Sequence, residues 1–198
     1  ESAPKSAPQN KRSKAEKIWS IDDFNVPVVE GKTRFHDLNL PDRVLKSIQE
    51  MGFEYCSEIQ AETLPMTLQG FDLIGQAQTG TGKTAAFLIA MISDFLDYPL
   101  TEKRANNLAR GLIIAPTREL ALQIADEASK LTENNHLNVV ASVDGMSYEK
   151  QKRQLETENV DILVATPGRL LDFARHKKVL LNQVECLVLD EADRMLDM

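Results

Sequence analysis

The stretch Ala77-Gln78-Thr79-Gly80-Thr81-Gly82-Lys83-Thr84 follows an apolar run at 71–75 and opens a helical pattern at Lys83. Glycines at 80 and 82 let the backbone curl so that successive N–H groups face inward and form a nest for an anion. The N-terminus of the helix that follows adds its partial positive charge at the same place. Lys83 can reach the outer phosphates of a nucleotide, and the Thr84 hydroxyl can ligand Mg²⁺. The usual phosphate-loop pattern opens with glycine, and Ala77 stands at that position. A plain Gly/Thr-rich turn is the bland alternative, which the strand-then-helix setting disfavours.

Working outward, short apolar runs of strand type occupy 71–75, 111–115, 139–143, 161–165 and 184–190. Helix-type segments lie at 42–51, 83–96, 118–131, 148–155 and 169–175. Within the first of these, Val44, Leu45, Ile48 and Met51 share a face, and Gly52 supplies the stop. The strand runs are almost continuously apolar, as strands buried on both faces of a parallel sheet require. Alternating β and α segments therefore predict an α/β domain, its mostly parallel sheet flanked by helices. Ligands of such sheets gather at the carboxyl ends of the strands, and the motifs below all fall there.

One of them closes the last run. Asp190 sits at the strand tip, placed to hold Mg²⁺ together with Thr84. Glu191 beside it is a candidate general base for a water molecule. Acidic residues after a strand also serve as simple helix N-caps, so this segment alone is only suggestive.

Composition sets limits on the rest. The chain has 198 residues, 42% of them hydrophobic, which suits one folded domain plus a tail. No apolar run approaches the roughly 20 residues that span a bilayer, so no membrane role is expected. Cys56 and Cys186 are the only cysteines; Cys186 lies in an apolar run and reads as a buried thiol in a reducing, cytoplasmic setting. A net charge of −7 argues mildly against tight binding of nucleic acid. Residues 1–34 are read as a largely flexible N-terminal tail, with a basic Ser/Ala/Pro-rich leader at 1–17 that either is merely solvated or adds RNA affinity. Trp19, Ile21, Phe24 and Val26 supply an extended-looking stretch suited to packing on the domain or a partner.

Asp190-Glu191-Ala192-Asp193 spells the DEAD box, and from Phe35 to Met198 the chain resembles the first RecA-like P-loop domain of DEAD-box RNA helicases. Gly52-Phe53 followed by Ile59-Gln60 looks like the Q motif, with Phe35 as its upstream aromatic. The resemblance implies that the Gln60 amide reads the adenine edge and Phe35 stacks on the base, which makes the nucleotide ATP. It also implies that Ala77 to Thr84 bind the nucleotide and that Lys83, Asp190 and Glu191 carry catalysis. Pro116-Thr117-Arg118-Glu119 and Thr166-Pro167-Gly168-Arg169 look like the two motifs that grip RNA phosphates, with Gly145 beside the same backbone. Residues 75–88, 55–57 and 31–35 resemble the bacterial RhlB type, which implies association with an RNA-degrading complex; the chain is expected to be monomeric. A nucleotide-dependent binding module with little catalysis is the alternative function.

The chain departs from the family pattern in three ways. Cys56-Ser57 stands where Pro-Thr is common, and Asp144-Gly145 where Gly-Gly is usual. A carboxylate at 144 repels phosphate, so Asp144→Gly is expected to strengthen RNA binding. The chain also ends before the Ser-Ala-Thr motif and the second domain that carries the family's arginine finger. Such a finger is worth about 10³ to 10⁵ in rate, so Mg-ATP or ADP binding, feeble hydrolysis and no unwinding are expected of the chain alone.

Overall fold

The computed structural model describes residues 19–78, 80–100 and 104–197. The basic leader, Thr79 and Met198 lie outside the described residues. Four strands, β1 (Gly111–Ile114), β2 (Val139–Ser142), β3 (Ile162–Ala165) and β4 (Cys186–Leu189), form one parallel sheet in the order β2-β3-β1-β4. Gly111 lies opposite Ile162 on one side and Cys186 on the other, and Ile114 lies opposite Ala165 and Leu189. The strands therefore end level, and the loops that follow them emerge along one edge.

Helices cover both faces. Before β1 come α1 (Asp42–Glu50), α2 (Glu58–Thr67) and α3 (Lys83–Asp97). Between and after the strands come α4 (Arg118–Thr132), α5 (Tyr148–Thr157), α6 (Pro167–Arg175) and the short α7 (Ala192–Leu196). Alternate residues along the strands point to opposite faces. Ile113, Ile162 and Val164 pack with α1 to α4 in one apolar cluster. Leu112, Val140 and Leu163 pack with Leu155 of α5 and with Leu170 and Phe173 of α6 in a second.

α2 is absent from the sequence reading. Pro65 inside it removes a backbone donor, and its apolar residues Ile59, Ala61, Leu64 and Met66 do not repeat along one face. Its one local signal is the Ser57–Gln60 capping box, and packing secures it: Leu64 is fully buried in the first cluster. Upstream of α1, Phe24 and Val26 are buried in the same cluster. The Trp19 indole donates to Gln49 Oε1 at 2.7 Å, the Gln49 amide donates to the Asp23 carbonyl at 2.8 Å, and the Tyr55 hydroxyl donates to the Pro27 carbonyl at 2.8 Å. The packed body thus reaches back past Phe35 to Trp19.

The run at 71–75 is a correction: it joins no sheet. Phe71, Leu73 and Ile74 are 56%, 46% and 103% exposed, and on the open edge of β4 Leu187 and Leu189 are 56% and 52% exposed. An apolar sequence supplies side chains suited to a strand, whereas a strand also needs a backbone partner. Residues 72–76 have none among the described residues. No helix among the described residues is long and apolar enough to cross a membrane.

Two features can be tested directly. A Cβ on Gly111 would lie 2.6 Å from Met91 Sδ and 3.1 Å from the Phe95 ring, so α3 packs on β1 only over a bare backbone. Gly111→Ala is expected to cost about 1–3 kcal/mol in urea unfolding, the usual range for overpacking. Burial pushes the thiols of Cys56 and Cys186 up to about 11. Near pH 8 the fraction present as reactive thiolate is therefore far below that of a free cysteine. Both should react slowly with a disulfide reagent in the folded chain and rapidly in denaturant.

Candidate functional site

The turn before α3 has the shape that the glycines predict. Gly80 and Gly82 take φ of +80° and +91°, the left-handed region that side chains disfavour. Gly82 is the N-cap of α3, and no side chain caps the helix, so the N–H groups of its first turn face the loop unclaimed. Thr81 Oγ1 donates to the Gln78 carbonyl at 2.7 Å, and the Lys83 ammonium donates to the Ala77 carbonyl inside the curl. Ala77 and Gln78 thus enter through their backbone. A Cβ on Gly82 would lie 2.5 Å from Gln60 Nε2 and 2.9 Å from Ser57 Oγ, so the loop is pressed against the start of α2. The cradle fits a phosphate group: it is built of free N–H groups, a helix N-terminus and one ammonium.

Gln60 is buried and joins the two elements. Its Oε1 accepts from the Ser57 backbone N–H at 2.9 Å, and its Nε2 donates to the Gly82 carbonyl at 3.1 Å. Phe35 stands apart from the rest of the nucleotide set. It is fully buried among the core side chains, so neither face of its ring is open to a base. An aromatic residue's identity does not reveal which way it points, and the 3-10 turn at Phe35–Asp37 turns this one inward.

At the end of β4, Asp190 Oδ1 accepts from the Glu191 N–H at 3.0 Å. Burial raises the Asp190 carboxyl above the usual carboxylate range, and the nearby Lys83 charge opposes that shift. Thr84, in the first turn of α3, is half-buried. Among the described residues no cluster of three or more acidic, His or Cys side chains could hold a metal alone. Glu191 is held at φ +50°, rare for a residue with a side chain, and its carboxylate pairs with Arg194. The sequence reading did not single out this partner, although its i,i+3 spacing on α7 is a visible signal.

The remaining predicted residues gather around the loop after β2. Arg118 Nη1 donates to the Gly145 carbonyl at 3.0 Å, and Arg169 Nη2 donates to the Met146 carbonyl at 3.1 Å. Arg169 Nη1 is buried without a partner. Thr117 caps α4, its Oγ1 accepting from the Leu120 N–H at 3.3 Å. Thr166 and Pro167 open α6. Pro116 is buried and Glu119 is exposed, and no described hydrogen bond links either side chain to the other two loops. Gln151 is a further member of this site: its amide grips both the N–H and the carbonyl of Val143, at 2.8 and 3.1 Å, and so anchors the loop. No sequence signal separates it from other polar helix residues.

The comparisons with known proteins agree with this arrangement. The family model described as DEAD/DEAH box helicase matches residues 57–198. The "ATP-dependent RNA helicase RhlB" of Pseudomonas syringae pv. tomato (strain ATCC BAA-871 / DC3000) is 57% identical over 169 residues, covering 85% of this chain and 43% of the relative. The protein of the same name from Shewanella sp. (strain MR-4) is 48% identical, covering 83% of this chain and 37% of the relative. The chain thus spans less than half the length of these relatives. A crystal structure of a DEAD box protein from the hyperthermophile Methanococcus jannaschii superimposes with a TM-score of 0.73 at 37% identity, covering 86% of this chain and 44% of that one. Motifs, fold and comparisons converge: this chain belongs to the DEAD/DEAH box helicase family.

Proposed function

We propose that the chain is the nucleotide-binding part of an ATP-dependent RNA helicase, which binds Mg-ATP and the backbone of single-stranded RNA at adjoining sites. The observation that carries this reading is the shared edge. The phosphate cradle lies at the start of α3, beside the Asp190–Glu191 turn, while the Arg118 and Arg169 loops follow neighbouring strands of the same sheet. Contacts aimed at phosphate oxygens carry no base sequence, so binding independent of RNA sequence follows.

In this reading the backbone amides of Gln78 to Thr84 hold the phosphates. Lys83 exchanges the Ala77 carbonyl for a phosphate oxygen. Gln60 is the side chain placed beside the loop to read an adenine edge. Thr84 and Asp190 hold Mg²⁺, which supplies charge stabilisation on the phosphate oxygens. Glu191 leaves Arg194 to accept a proton from the attacking water. Arg118, Arg169 and the free N–H groups at the start of α6 take the RNA phosphates. Local unwinding belongs to the longer protein that the relatives represent. The reading extends to a cytoplasmic monomer working beside RNA-degrading enzymes.

Hydrolysis of ATP by the full-length protein, with and without single-stranded RNA, tests the proposal. RNA should stimulate turnover, and Glu191→Gln should lower it by about 10²- to 10⁴-fold, the usual worth of a general base. Turnover indifferent to RNA, or to the Glu191 change, would defeat the reading.

A further inference from the structure

The loop after β2 does more than sit near the proposed RNA site: it fills part of it. Thr166 Oγ1 donates to Asp144 Oδ2 at 2.7 Å, while the Asp144 N–H donates to that same hydroxyl at 3.1 Å. Thr166 is buried and is the N-cap of α6. The two Asp144 carboxylate oxygens lie 3.1 and 3.3 Å from where a Cβ on Gly168 would stand, so the anion rests over the first turn of that helix. Leu170 N–H already bonds the Thr166 carbonyl, Pro167 has no N–H, and no side chain caps α6. The Gly168 and Arg169 N–H groups are left without an acceptor among the described residues. A helix N-terminus of this kind favours an anion.

A second observation points to the same place. Arg169 carries a buried nitrogen, Nη1, with no hydrogen-bond partner, while its Nη2 donates to the Met146 carbonyl and its guanidinium lies 5.7 and 5.5 Å from the Tyr148 and Phe173 rings. The Gly145 carbonyl occupies Arg118 in the same way. One short loop therefore engages Arg169 and Arg118 through its carbonyls and lays a carboxylate beside the start of α6, three places that would otherwise face a phosphate. The carbonyls are weak acceptors that any phosphate can replace. The carboxylate is different, because it brings a full negative charge to the spot where another must bind.

We propose that Asp144 sets RNA affinity as a built-in competitor: its carboxylate stands beside the anion position at the start of α6, and an RNA phosphate binds there only by pushing it aside. The inference rests on the RNA-binding reading above and adds a residue that opposes binding. Two charges of one sign cannot share the site at low cost, so phosphate entry requires the 144–146 loop to withdraw. Withdrawal would also free Arg118 and Arg169 from their carbonyls, which makes engagement of the three groups concerted. Gly145, at φ +72°, provides the backbone freedom for that movement.

The test is a fluorescence-anisotropy titration of labelled oligouridylate with the full chain and with Asp144→Asn, Asp144→Gly and Arg169→Ala, at low and at high salt. Thermal melting of each variant confirms that it is folded. Asp144→Asn keeps the size and the acceptor for Thr166 but removes the charge. It should bind RNA about fivefold more tightly at low salt, the scale of two unit charges a few ångströms apart in water. That gain should shrink at high salt as the repulsion is screened, which a merely structural role would not produce. If both Asp144 variants bind as the parent does while Arg169→Ala loses affinity, the competitor is overturned and the RNA site stands. If neither the parent nor any variant binds oligouridylate, the RNA site and its competitor fall together.

Discussion

A single hydrogen atom at Gly111 sets how closely α3 can lie on the sheet. Met91 and Phe95 occupy the space that any side chain there would need, so the helix meets β1 backbone to side chain. β1 is bonded on both sides, to β3 and to β4, in a register that brings all the strand ends level. α3 begins at Lys83, and β4 ends just before Asp190. Tight seating of one helix on one strand is thus what brings an ammonium and a carboxylate, over a hundred positions apart in the chain, into electrostatic contact. Packed interiors behave as solids, and a shift at one end of α3 is felt at the other.

The parts of this architecture that the sequence announces are those with a local cause. β1 to β4 are short apolar runs, because strands covered on both faces have no polar side to show. α1, α3, α4, α5 and α6 were legible because their apolar residues repeat along one face. α2 was not, since Pro65 and a scattered apolar pattern hide it. The run at 71–75 misled for the converse reason: its composition suits a strand, but pairing is a property of two segments and is written in neither. The phosphate loop was legible because left-handed backbone at Gly80 and Gly82 needs particular residues. The burial of Phe35 was not legible, since an aromatic ring suits a core as well as a base. The convergence of Arg118 and Arg169 on one loop depends on β3 lying between β2 and β1, which only the assembled sheet reveals.

The site also shows where stability is given up. Glu191 sits in left-handed backbone, at a cost of about 1–2 kcal/mol for a residue with a Cβ. Asp190 is half-buried beside another acid, which disfavours its ionised form. Arg169 keeps a buried nitrogen unbonded. Each is unfavourable to the folded chain, and all three lie at the carboxyl edge of the sheet. Lys177, after the far end of α6, shares the left-handed backbone of Glu191, so strained backbone is not confined to that edge. The net charge of −7 says nothing of this, because it averages over faces that have different tasks.

Gln60 has a consequence of its own. Its amide oxygen accepts from Ser57 and its nitrogen donates to Gly82, so it acts as a tie between the start of α2 and the mouth of the phosphate cradle. A group that turns this amide away from the Gly82 carbonyl leaves the loop free to change shape. Thermodynamic linkage makes the exchange reciprocal: a loop remodelled by phosphate releases the amide as readily as a base draws it away. The two ends of a nucleotide would then be sensed as one event, through a single side chain that touches the protein before it touches the ligand.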